Sequence, residues 1–119
     1  LAWQAPSGEI ISYSLEPSAG PADAAKIAEQ KVLAEKMMES MTIQVGDQIV
    51  QGQFLGYLYG QDDWAHVHMS VKASDRGPEQ WLCPADYMPA VGESDLLAKS
   101  LIWADRLYKG SKQPELCNY

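Results

Sequence analysis

"WAHVHMSV", residues 64–71, holds both histidines of the chain, His66 and His68, in an alternating segment. Side chains along an extended strand point in turn to opposite sheet faces, so this alternation predicts a β-strand. Ala65, Val67, Met69 and Val71 form the apolar side and are expected to face a core. Trp64, His66, His68 and Ser70 share the other side and are the residues expected to line a binding groove. Two imidazoles at i and i+2 are near enough to meet one metal ion or one polar ligand. A catalytic zinc, however, takes three protein ligands and an open position. The histidines supply only two, so a carboxylate or thiolate has to complete the set. The bland alternative is an exposed sheet face that carries two polar rings.

Working outward, "EIISYSL" (residues 9–15) also alternates, with Ile11, Tyr13 and Leu15 on one face, and follows a Pro-Ser-Gly turn. "EPSAGP" (16–21) punctuates the chain, and Pro21 suits the first turn of a helix. "ADAAKIAEQKVLAEKMMESM" (22–41) is rich in helix formers, and the inserted helix is expected at about 22–40. Ile27, Ala34, Met38 and Met41 fall near one face of it, and Met37, Met38 and Met41 are expected to fill core space. "TIQVGDQIVQGQFLGYLYG" (42–60) reads as short strands broken by Gly46, Gly52 and Gly56. "DRGPEQ" (75–80) is a turn and "WLCPADYMPAVG" (81–92) is irregular. A second helix, about 94–110, takes Ser94 as N-cap, buries Leu97, Leu101, Ala104 and Tyr108, and stops at Gly110.

The bulk numbers are those of one ordinary domain: 119 residues, 46% hydrophobic and 21% charged. A net charge of -7 disfavours nucleic acid and anionic membrane surfaces, both of which call for a basic face. No apolar run nears the ~20 residues of a membrane span, so membrane insertion is not expected. A chain starting at Leu1 is expected of a processed precursor or an expressed fragment. Cys83 and Cys117 are either two thiols or a disulfide. A bond between them would contribute roughly 4 kcal/mol and indicate an extracytoplasmic compartment. Trp3 and Trp81 lie beside turns as expected lids on the core, and Trp103 is expected to dock its helix. Tyr57 and Tyr59 alternate with Leu58 and share one side, in a stacking platform or in plain sheet packing.

"VGDQIVQGQFLG" (45–56), closely followed by "AHVHMSV" (65–71), resembles the loop and H-x-H strand of lysostaphin-type (LytM-like) zinc metallopeptidases. "WQAPSGEI" (3–10) and "WLCPADYM" (81–88) look like that family's early strand-turn-strand element and its closing segment. The resemblance covers residues 3–13 and 41–88. It implies a mainly β, small antiparallel barrel-sandwich hybrid, here a single domain over residues 1–119 with the two helices added. It also implies that His68 is a zinc ligand and that His66 assists the attacking water. The family's H-x-x-x-D motif, which supplies its other two ligands, is missing from this chain, as is its additional histidine near "EKMMES" (35–40). The expectation is therefore a catalytically inactive remnant, with no cofactor, that binds peptidoglycan or an envelope protein outside the cytoplasm. The alternatives are an active zinc endopeptidase whose first motif lies outside this chain, or a structural domain without ligand. "EKMMES" is also similar to the stretch around the biotin-accepting lysine of carrier domains, but Lys36 lies in a helical pattern rather than on a hairpin.

Overall fold

The computed structural model describes residues 1–18, 23–74 and 80–108. Its elements run β1 (Ala2–Gln4), β2 (Ile10–Glu16), α1 (Ala24–Glu39), β3 (His66–Lys72), β4 (Trp81–Leu82), a 3-10 helix (Pro84–Tyr87) and α2 (Ala90–Tyr108). The strands form one four-stranded antiparallel sheet in the order β1-β2-β3-β4. Helices of 16 and 19 residues outweigh strands of 3, 7, 7 and 2, so "mainly β" gives way to a mixed helix and sheet fold. The reason lies in residues 42–60, expected to add strands. They form turns instead. Gly46 and Gly52 take φ of 98° and 79°, which L side chains rarely adopt, and each sits in a turn closed by its neighbours. Asp47 N–H donates to Gln44 O and Gln53 N–H to Val50 O, with Asp47 and Gln53 side chains accepting back from Gln44 and Val50 N–H. These bonds keep the Gln44, Asp47, Val50 and Gln53 amides within the turns, away from a sheet ladder, while Thr42 N–H pairs with Leu55 O across the segment.

Cα packing divides the chain into two compact units, residues 1–13 with 69–119, and residues 14–68. In the first, β1 and β2 make a strand-turn-strand with Trp3 opposite Ile11 and Ala2 opposite Ser12. Ala5 N–H donates to Glu9 O and Gly8 N–H to Ala5 O, which closes the turn. Ile11, Val71 and Ala85 are buried there, Val71 to 1% exposure. Trp3 packs edge-on against Tyr13 at 4.9 Å. Trp81, expected as a lid, is 45% exposed; Lys72 Nζ lies over its ring instead, 5.1 Å from the centroid. α2 begins at Ala90, directly after Pro89, so Ser94 is inside the helix rather than its cap. Glu93 N–H donates to Pro89 O at 3.0 Å, so the first helical turn is already closed before the serine is reached. Leu97 and Leu101, expected to be buried, are exposed, while Gly110 and the side chains of Trp103, Ala104 and Tyr108 lie outside the described residues.

In the second unit, α1 is capped by Asp23, whose carboxylate accepts from Lys26 N–H at 2.9 Å. Its buried residue is Met37, at 3%, with Leu33 and Gln30 half-buried one and two turns before it. Met37 is thus core as expected and Met41 half-buried, whereas Met38, also expected in the core, and Ile27, expected on its face, are exposed. Apolar residues are scattered all round this helix, so their spacing does not single out the face that packs. Lys36 is in the last helical turn, as expected. Ser40 ends the helix and also ties it down: its hydroxyl donates to Met37 O and accepts from Tyr57 N–H. On β3, Val71 is core as expected, but Val67 is 43% exposed. The expected turn at 75–80 falls almost wholly outside the described residues, and Cys117 lies outside them too. No helix among the described residues is long and apolar enough to cross a membrane.

Candidate metal centre

The end of β2 and the start of β3 meet in the second unit. Antiparallel neighbours bring same-face side chains within about 5 Å of each other. Here they bring together Glu16, the last residue of β2, with His66 and His68 of β3. His66 Nε2 lies 2.9 Å from His68 Nε2. Glu16 offers one carboxylate oxygen to each ring, 3.6 Å from His66 Nε2 and 3.3 Å from His68 Nε2. Among the described residues this is the one group of three or more potential metal ligands. The third donor that the two histidines lack is thus supplied from inside the chain.

The donor set fits a small divalent ion. A tetrahedral zinc with ligands at about 2.0–2.1 Å spaces its donors ~3.3–3.4 Å apart. The observed separations straddle that value: 2.9 Å between the two ring nitrogens, and 3.3 and 3.6 Å from them to the two different Glu16 oxygens. Imidazole nitrogen and carboxylate oxygen are also the zinc-type donors. Proton bookkeeping points the same way for His66. Its Nδ1 is 2.6 Å from Trp64 O, a carbonyl that can only accept, so Nδ1 carries the proton. In the neutral ring Nε2 is then an unshared pair facing Glu16 and His68. A hydrogen bond on the far nitrogen is the usual way a ligating histidine is held in orientation. The cluster is open on one side: the Glu16, His66 and His68 side chains are 43%, 36% and 60% exposed.

The strand ends are held by the segment just before β3. Gln61 N–H donates to Pro17 O at 2.7 Å, and the Gln61 amide reaches Glu29 and Gln30 on α1. The inserted helix therefore buttresses the segment that leads into the histidines. Asp62 accepts from the Ser18 hydroxyl and from Trp64 N–H, the latter at 2.9 Å. These bonds hold the Asp62 carboxyl below its ordinary range, Ser18 first, then Trp64 N–H, with Lys26 adding a smaller pull.

Of the expected site residues, His66 and His68 converge, and Trp64 stands beside them with an exposed ring and a carbonyl that fixes His66. Ser70 belongs to the first unit. Glu16 was not singled out by the sequence. Alternation does put Glu16 with Ser12 and Ser14 on the polar face of β2, but only the pairing of β2 with β3 gives it a meaning. In this arrangement the Nε2 atoms of both rings face the same point. A metal held there would take His66 as a ligand alongside His68, rather than leave it free to assist a water.

No protein-family model matches this chain, and neither the curated proteins nor the solved structures give a match.

Proposed function

We propose that this chain is a metal-binding domain in which Glu16, His66 and His68 hold one zinc-class ion whose open side captures a carboxylate- or carbonyl-bearing ligand of the cell envelope. The observation that carries this is the convergence of three donors at zinc-like spacing, with His66 locked in the tautomer that can ligate. An ion in such a site supplies a Lewis acid toward an oxygen ligand. The chain's own part is to fix three donors and leave the fourth direction to solvent. Trp64, 62% exposed beside His66, adds an aromatic surface against which a peptide or sugar can pack. The barrel-sandwich relationship and peptidoglycan as ligand rest on the resemblance to lysostaphin-type peptidases. An extracytoplasmic setting is supported by Cys83, since the described residues hold no free cysteine.

A binding role is favoured over hydrolysis because both histidines are used as ligands. The second reading, a zinc endopeptidase, is favoured by the three-donor set with its open side, the pattern of catalytic rather than structural zinc. Zinc titration by calorimetry, followed by sedimentation with peptidoglycan with and without chelator, tests the proposal. One equivalent of zinc and chelator-sensitive binding are expected. A chain that binds no zinc overturns the reading, and cleavage of cross-bridge peptides by the zinc form transfers it to the endopeptidase.

A further inference from the structure

Within the second unit, the metal cluster is flanked by a single carboxylate that touches both strands' approaches without touching any ligand. We infer that Asp62 is a positioning residue for the metal site, setting the geometry of Glu16 and His66 together through Ser18 and Trp64. This rests on the metal reading above and goes beyond it by assigning a residue outside the donor set.

On one side, Asp62 accepts from the hydroxyl of Ser18, two residues after Glu16. On the other, it accepts from Trp64 N–H, and the carbonyl of that same Trp64 accepts from His66 Nδ1 at 2.6 Å. One carboxylate thus pins the chain that carries the glutamate and the chain that carries the first histidine. Gln61 repeats the link one residue earlier, through its N–H to Pro17 O. Asp62 also accepts Ala65 N–H on its own carbonyl, closing a tight turn directly into β3. In this turn the Trp64 carbonyl has one orientation, so the His66 ring has one tautomer and one rotation. Partners of this kind, one shell out from a metal, typically change affinity by about 10- to 100-fold when removed. The ionised form of Asp62 is the one that accepts twice, and its depressed pKa keeps that form in place across the neutral range.

Removing the side chain differs from removing only its charge. In Asp62→Asn the amide oxygen still accepts from Trp64 N–H, and the amide nitrogen can donate to the Ser18 oxygen, so the brace survives. In Asp62→Ala it is lost on both sides, and in Ser18→Ala on one.

Two measurements test this. The first is zinc affinity of the full chain by calorimetry. Asp62→Ala should bind at least about tenfold more weakly than the unmodified chain, Ser18→Ala about three- to tenfold more weakly, and Asp62→Asn within about threefold of it. The second needs no metal: nitrogen NMR of the apo chain should show His66 as the Nδ1–H tautomer, and as a tautomer mixture in Asp62→Ala. Should Asp62→Ala fail to fold, Ser18→Ala carries both readouts. The inference is overturned if Asp62→Ala, or Ser18→Ala in its stead, keeps both the affinity and the tautomer. It is equally overturned if Asp62→Asn loses as much affinity as Asp62→Ala, since charge rather than bracing would then be at work. A chain that binds no zinc at all, yet shows the tautomer change, instead overturns the metal reading and leaves Asp62 as the brace of the His66 ring.

Discussion

β2 and β3 each change character along their length. At the end that belongs to the first unit, Ile11 and Val71 are buried apolar residues, 8% and 1% exposed. At the end that belongs to the second unit, Glu16, His66 and His68 are polar, partly exposed and turned toward one another. The same two strands thus carry packed apolar residues at one end and a cluster of potential metal ligands at the other. A core tolerates little change because its contacts are dense. A half-exposed polar cluster contributes little to folding by itself, since solvent screens exposed charge pairs. Changes at one end are therefore expected to leave the other end intact.

The largest effect is expected at the polar end. Glu16→Ala or His68→Ala should weaken zinc binding by more than 100-fold, read by calorimetric titration, as removing one of three ligands undoes the site. The stability of either metal-free variant in urea should stay within ~0.5 kcal/mol of the parent. A large loss of metal-free stability would show that the cluster is structural, and the contrast between the two ends would fail.

If the polar end anchors little, the second unit depends on α1. Met37→Ala, at 3% exposure, should cost about 3 kcal/mol in urea unfolding, whereas Met38→Ala, at 70%, should cost less than about 0.5. Equal effects would mean that the helix packs by another face. At the apolar end, Val71→Ala should cost about 2 kcal/mol while leaving the zinc affinity of the folded chain unchanged.

The smallest effect concerns pH. Glu9 in the first unit is held below its ordinary value, mainly by the Ser7 hydroxyl, with a smaller contribution from Tyr87. A carboxyl lowered on folding contributes stability that is present above its unfolded value of ~4 and lost as pH falls through the folded value. Ser7→Ala should therefore flatten slightly the acid limb of a stability–pH curve below about pH 4, with no change at pH 7 beyond the lost hydrogen bond.

The sequence made one half of the site plain and hid the other. The H-x-H alternation placed both rings on one face, because strand periodicity is local and strict. Glu16 looked like the first residue of a proline-containing break, since nothing local says which strand will lie alongside. The glycine-rich stretch misled in the opposite sense. Val45, Val50, Phe54 and Tyr57 have strand-forming side chains, but tight turns at Gly46 and Gly52 interrupt the stretch, Tyr57 N–H goes to the Ser40 hydroxyl, and all four are exposed. Tyr57 and Tyr59 do come together, at 6.2 Å between rings and tilted by 55°, which is a small cluster rather than a flat stacking surface. The helix α1 was visible as a helix, and its packing face was not, for want of a clean apolar stripe.

The second unit begins at Ser14 and ends at His68, so the chain enters and leaves it beside the same three side chains. An ion held there is a clasp across the neck of a long loop. Closing a loop removes freedom from the unfolded chain, and the cost of closure rises only slowly with loop length. Any free energy of binding is then shared by every residue between the two strands, by the ordinary linkage of ligand to folding. Zinc would be felt as far away as α1 and Met37, where no ligand comes near.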